Sequence, residues 1–103
     1  MKLPQEMHAY RRTPEFTETT IPGALLKAHT TKDGTWALIH VLEGRLVYRI
    51  SDPMRPTFQT VLSPDGAPGV IEPKILHEVE PLGPVRFYVE FHRHASFEDR
   101  KKT

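Results

Sequence analysis

Cysteine is absent from all 103 residues. The chain therefore has no disulfide, no thiolate metal ligand and no cysteine nucleophile, which excludes zinc-finger and cysteine-hydrolase readings and fits a cytoplasmic protein. No stretch approaches the roughly 20 apolar residues of a membrane span, and the N-terminus, Met1-Lys2-Leu3-Pro4-Gln5-Glu6, lacks the apolar segment of a signal peptide. The expectation is a soluble chain with no membrane partner. An excess of positive charge is missing too: 14 Lys and Arg face 13 Asp and Glu, a net charge of +1. Arg11-Arg12 and Arg100-Lys101-Lys102 read as solvated charge, and no nucleic-acid partner is expected. The six glycines, at 23, 34, 44, 66, 69 and 83, contain no Gly-x-Gly pair. No strand, glycine loop and helix unit for a nucleotide cofactor can be drawn from them.

Long helices are excluded as well, because ten prolines punctuate the chain. What remains is a sequence that is 38% hydrophobic, enough for one core. The reading is a single domain over residues 1–103, with a core over about 20–95, an N-terminal arm over 1–19 and a charged tail over 96–103. Seven short strands are expected, over 25–30, 35–42, 45–51, 57–62, 70–71, 76–80 and 85–92. Glu43-Gly44 reads as a tight hairpin turn and Leu82-Gly83-Pro84 as another turn, while 63–69 carries the strongest turn signal. Leu46, Tyr48 and Ile50 alternate with Arg45, Arg49 and Ser51, as in a half-buried strand. Residues 36–42 are apolar on both faces, which calls for a cover from the N-terminal arm or from a second copy; a homodimer is the favoured expectation.

Six histidines stand at 8, 29, 40, 77, 92 and 94. His29 and His77 lie among apolar residues, and a buried imidazole needs a partner, either a backbone carbonyl or a metal. His92 and His94 have metal-like spacing, but their place at a strand end beside the tail predicts exposure. In the last strand Phe87, Val89 and Phe91 alternate with Arg86, Tyr88, Glu90 and His92; ordinary patterning buries the first set, and the reverse puts Glu90 inside. Ser51, Ser63 and Ser96 have no nucleophile-elbow context.

The segment from Gly34 to Gly44, with His29 upstream, resembles the first motif of cupins, and Gly69 to Val79, with Pro73 before His77, resembles their second. More narrowly, residues 29–36, Val41-Leu42-Glu43-Gly44, Glu72-Pro73 and His77-Glu78-Val79-Glu80 resemble the cupin domain at the front of TehB-type tellurite-resistance proteins, over roughly residues 5–97. The resemblance implies a double-stranded β-helix, the cupin jelly roll, with His29 and His77 as metal ligands for Zn, Fe or Ni. Two usual ligand positions are occupied by Thr31 and Ala37. A third ligand is therefore sought in Glu90, with Glu72 and Glu80 as fallback donors, and Thr31, Arg86 and Tyr88 as pocket residues that orient an anionic or hydroxylated ligand.

Three functions follow as expectations. The first is a cupin-type module binding a metal, a small molecule or an oxyanion. The second is a small metal-dependent enzyme of oxygenase or isomerase type, and the third a metal-free dimerisation or interaction domain. Binding leads, because only Tyr88, Glu80, Glu72 and His40 remain as acid–base groups and none has a spacing that demands catalysis. No catalytic residue is assigned. The methyltransferase activity of TehB-type proteins resides in a separate S-adenosylmethionine domain, so no methyl transfer is expected here.

Overall fold

The computed structural model describes residues 3–27 and 30–94. Its elements are β1 (Met7–Arg12), β2 (Phe16–Thr17), a 3-10 turn (Gly23–Leu26), β3 (Trp36–Ile50), β4 (Phe58–Leu62), β5 (Gly69–Ile71) and β6 (His77–His94). All strands pair antiparallel in one six-stranded sheet ordered β1-β6-β3-β4, with β2 added to β6 and β5 to β3.

β3 and β6 form the spine, pairing from Trp36 opposite His92 to Ile50 opposite His77. The expected hairpin at Glu43-Gly44 is instead a bend inside one 15-residue strand. Gly44 has φ +77° and Gly83, in the facing part of β6, φ +85°. Left-handed glycines serve bulges as well as hairpins, and here the register slips on both sides of Gly44 while the chain keeps its direction. A methyl group at Gly44 would fall on the carbonyl oxygen of Pro84, so only glycine lets the two strands bend together. The expected turn at Leu82-Gly83-Pro84 is likewise absorbed into β6.

The bend gives the sheet two halves. β5 flanks β3 at 37–39, and β4 flanks it at 46–50. The two halves meet at Gly69 of β5, which Leu62 of β4 and Tyr48 of the β4-flanked part of β3 approach from the other half. Between them lies a core of Ala37, Ile39, Val41, Leu46, Tyr48, Ile50, Leu62, Ile71, Val79, Val85, Phe87 and Val89. These positions follow the two-residue period of β-structure, and fully burying a side chain such as Phe87 contributes about 1.5–3 kcal/mol.

The N-terminal arm supplies β1 and β2 as edge strands on β6. The expected strand over 25–30 does not form at its start. Pro22, with φ −56°, leads into the 3-10 turn, closed by Leu25 N–H donating to the Pro22 carbonyl at 2.9 Å, and Leu25 packs on the core. On the outer face Trp36, Leu38 and Leu42 are half-buried. Among the described residues no helix is long and apolar enough to cross a membrane.

Candidate functional site

A cavity of about 420 Å³ opens between the inner face of the β3–β6 spine and the N-terminal segments. Ile39, Ile71, Val79, Phe87 and Val89 form its apolar wall, and Phe16, Pro22, Ala24, Leu25 and Phe91 continue that wall. Polar groups come from Tyr10, Arg11 and Thr13 of the arm, from Thr30, Thr31, Lys32 and Thr35 of the loop before β3, and from His77. No Asp or Glu among the described residues lines it.

His77 opens β6 and is 1% exposed. Its Nδ1–H donates to the Ile75 carbonyl at 2.7 Å, a tautomer that makes Nε2 the acceptor nitrogen. The Tyr48 ring stands edge-on 6.2 Å away. The strand start is pinned from the preceding loop: Leu76 N–H donates to Asp52 Oδ2 at 3.0 Å, Met54 N–H to Asp52 Oδ1 at 2.8 Å, and Ser51 N–H to the Leu76 carbonyl at 3.0 Å. The amides of Leu76 and then Met54 hold the Asp52 carboxyl below its ordinary range.

The cavity rim is fixed in the same way. Thr31 Oγ1 donates to the Thr35 carbonyl at 3.0 Å, and Lys74 N–H donates to the Thr31 carbonyl at 3.1 Å. Lys74 adopts φ +65°, a left-handed conformation rare for a residue with a side chain. Thr13 ties the arm to β6 twice, donating its N–H to the Val89 carbonyl at 2.9 Å and accepting the Val89 N–H on Oγ1 at 3.0 Å.

Of the expected site residues, the structure brings His77 and Thr31 to this cavity. His29 lies outside the described residues. Glu90 is a correction to the inward reading: Phe87, Val89 and Phe91 line the cavity, so Glu90, one residue out of phase, stands on the opposite face. Turning the phenylalanines outward would expose them and strip water from a carboxylate, so ordinary patterning prevails. There Glu90 Oε1 accepts from His92 Nε2 at 2.8 Å and lies 3.3 Å from His40 Nε2. Burial pushes its pKa up, but the hydrogen bonds and charges of His92 and His40 outweigh that and hold it below the usual value.

Tyr88 shares this outer face, stacked on His40 at 4.9 Å with the Arg12 guanidinium 3.8 Å from its ring centre. Arg86 pairs with Glu15 at 2.7 Å and Glu43 at 2.6 Å, away from the cavity. Glu72 pairs with Arg55 and Glu80 with Arg49, each at 2.9 Å. His92 is 8% exposed, against the exposure expected of it, because β1 and β3 flank it on both sides. Among the described residues no group of three His, Asp or Glu is arranged to hold a metal ion.

Tyr10, Arg11, Thr13, Lys32 and Thr35 were not anticipated as cavity residues. They come from the arm and a loop, where no hydrophobic period marks a facing side.

Fold and site together define a small all-β domain with a chamber on the inner face of a bent antiparallel sheet. The chain belongs to the TehB-like domain family, whose model matches residues 11–89. It is 28% identical over 81 residues to a probable S-adenosyl-L-methionine-dependent methyltransferase TehB of Haemophilus influenzae, and 27% identical to that of a second strain, covering 78% of this chain in each case. The chain spans 28% of the length of these relatives. The crystal structure of TehB from Haemophilus influenzae superposes with a TM-score of 0.81 at 24% identity, over 96% of this chain and 36% of that one. A protein from Escherichia coli K12 superposes with a TM-score of 0.78 at 21% identity, over 91% of this chain and 97% of that one.

Proposed function

We propose that the chain is a small-molecule-binding module of the tellurite-resistance kind, built as a cupin jelly roll, whose ligand occupies the His77 cavity. The observation that carries this reading is a chamber of about 420 Å³ walled by core residues, with a buried imidazole of defined tautomer in its lining. Ligand sites are characteristically concave, mostly apolar and furnished with a few polar groups. Two sheet halves folded over one core support the jelly-roll assignment. The methyltransferase activity named for the Haemophilus relatives belongs to proteins of which this chain spans 28%, and the proposal for this chain concerns binding alone.

A divalent metal at His77 would need two or more further donors. None of the described carboxylates lines the cavity, and His29 lies outside the described residues. A second copy covering the half-buried Trp36 face, in a cytoplasmic homodimer, completes the proposal.

The test is an NMR screen of small organic compounds against the 15N-labelled chain. Binding should perturb the amides of Val79, Val89 and His77 and be abolished by Ala24→Trp, which fills the cavity mouth from an exposed position. Perturbations confined to other surfaces, or unaffected by that substitution, would refute it.

A further inference from the structure

We infer that the cavity takes an organic anion, its apolar body against Phe16, Phe87 and Phe91 and its acid group at the rim beside Arg11 and Lys32. This deepens the binding proposal above and rests on it.

The inference comes from how charge is distributed. Among the described residues Arg12, Arg49, Arg55 and Arg86 each stand within 4.0 Å of a carboxylate. Arg11 and Lys32, the two cations lining the cavity, form no such pair among them; Arg11 leans instead toward the Phe91 ring, 5.8 Å from its centre. Both are exposed, so their charges sit where the apolar chamber meets water. Among the described residues the charged side chains in the lining are all basic, which favours anions over cations at the rim.

The wall sets the second requirement. Phe16 and Phe87 meet edge to face at 5.7 Å, and the half-buried Phe16 and Phe91 leave apolar ring surface facing the chamber. A small inorganic oxyanion would lose its hydration against such a surface without hydrogen bonds to replace it. An amphipathic acid satisfies both ends: its body gains from leaving water, and its charged oxygens stay at the rim within reach of a guanidinium and an ammonium. A carboxylate of aromatic or branched aliphatic type is the simplest member of this class.

Calorimetric titration of the whole chain with 3-phenylpropanoate, its neutral amide 3-phenylpropanamide and sodium tellurite tests this. The acid should bind about tenfold or more tightly than the amide, and added salt should weaken the acid alone. Arg11→Gln with Lys32→Gln should lower the acid to the level of the amide and leave the amide unchanged; Lys32→Gln alone, which spares the Phe91 contact, should give part of that loss. Equal binding of acid and amide, or equal loss of both in the double variant, overturns the anion inference while leaving cavity binding intact. Tellurite displacing the acid at equal concentration overturns the need for an apolar body. Failure of acid and amide alike to perturb the cavity refutes this inference, and an unproductive wider screen refutes the binding proposal with it.

Discussion

The Tyr48 hydroxyl donates to the Val70 carbonyl at 2.7 Å and so joins the two halves of the bent sheet across the core. Burial first, and the charge of Glu72 second, push the phenol pKa far above its ordinary value, so the proton stays in place at any working pH. Tyr48→Phe should cost about 1–3 kcal/mol, the price of a buried carbonyl that has lost its donor. Urea unfolding measures this as a lower midpoint at unchanged slope; an unchanged midpoint would show that Val70 finds another partner.

Gly44 and Gly83 are both left-handed but differ in their surroundings. A methyl at Gly44 meets the Pro84 backbone, whereas one at Gly83 meets nothing within 4 Å. Gly83→Ala should cost about 1–3 kcal/mol of backbone strain. Gly44→Ala should cost more, because the clash is with backbone and cannot be relieved by rotating a side chain. Equal melting temperatures for the two variants would contradict this reading of the bend.

Glu90 confers an acid-side dependence on stability. Its carboxyl pKa is lower in the folded chain than the ordinary 4.5, so the stabilisation is complete above that value and lost as pH falls through the lower folded value. His40, His92, Tyr88 and Arg12, across the register from Glu90, face this group. Denaturation curves of the parent chain and Glu90→Gln should converge as the pH falls through the lowered folded value and separate above about pH 5, with the parent more stable. Parallel curves over that range would remove the carboxylate from the account.

The proposed homodimer is tested by sedimentation velocity. The parent chain should sediment as a dimer at micromolar concentration, and Leu38→Lys, which places a charge in the middle of the Trp36 face, should sediment as a monomer with its β-sheet circular dichroism retained. A parent chain that is monomeric throughout would refute the homodimer.

Much of the inner face was legible from alternation alone. Leu46, Tyr48 and Ile50 share a face and are buried as the period demands, and so are Phe87 and Val89. The direction of the chain at Gly44 was not legible, because a left-handed glycine suits a hairpin and a bulge equally. What decides between them is continuous pairing with β6, some 40 residues away in sequence. β1 was hidden for a related reason: Met7–Arg12 mixes polar and apolar residues without a two-residue period and becomes a strand through the β6 edge it joins. At the site, His77 and Thr31 could be named in advance. Glu90 was drawn inward only by the need for a third ligand, a need that desolvation of a carboxylate outweighs.

Along β6 neighbouring residues serve different surfaces: Val89 and Phe91 the chamber, Glu90 and His92 the histidine-bearing outer face. A one-residue deletion between Val85 and Val89 would therefore exchange them, sending a carboxylate into the chamber and phenylalanines into water. Changes of chain length in this stretch would damage both surfaces at once, so the chemistry of the chamber is open to change by substitution and by the arm and loop that form its mouth, but closed to insertion or deletion along its spine.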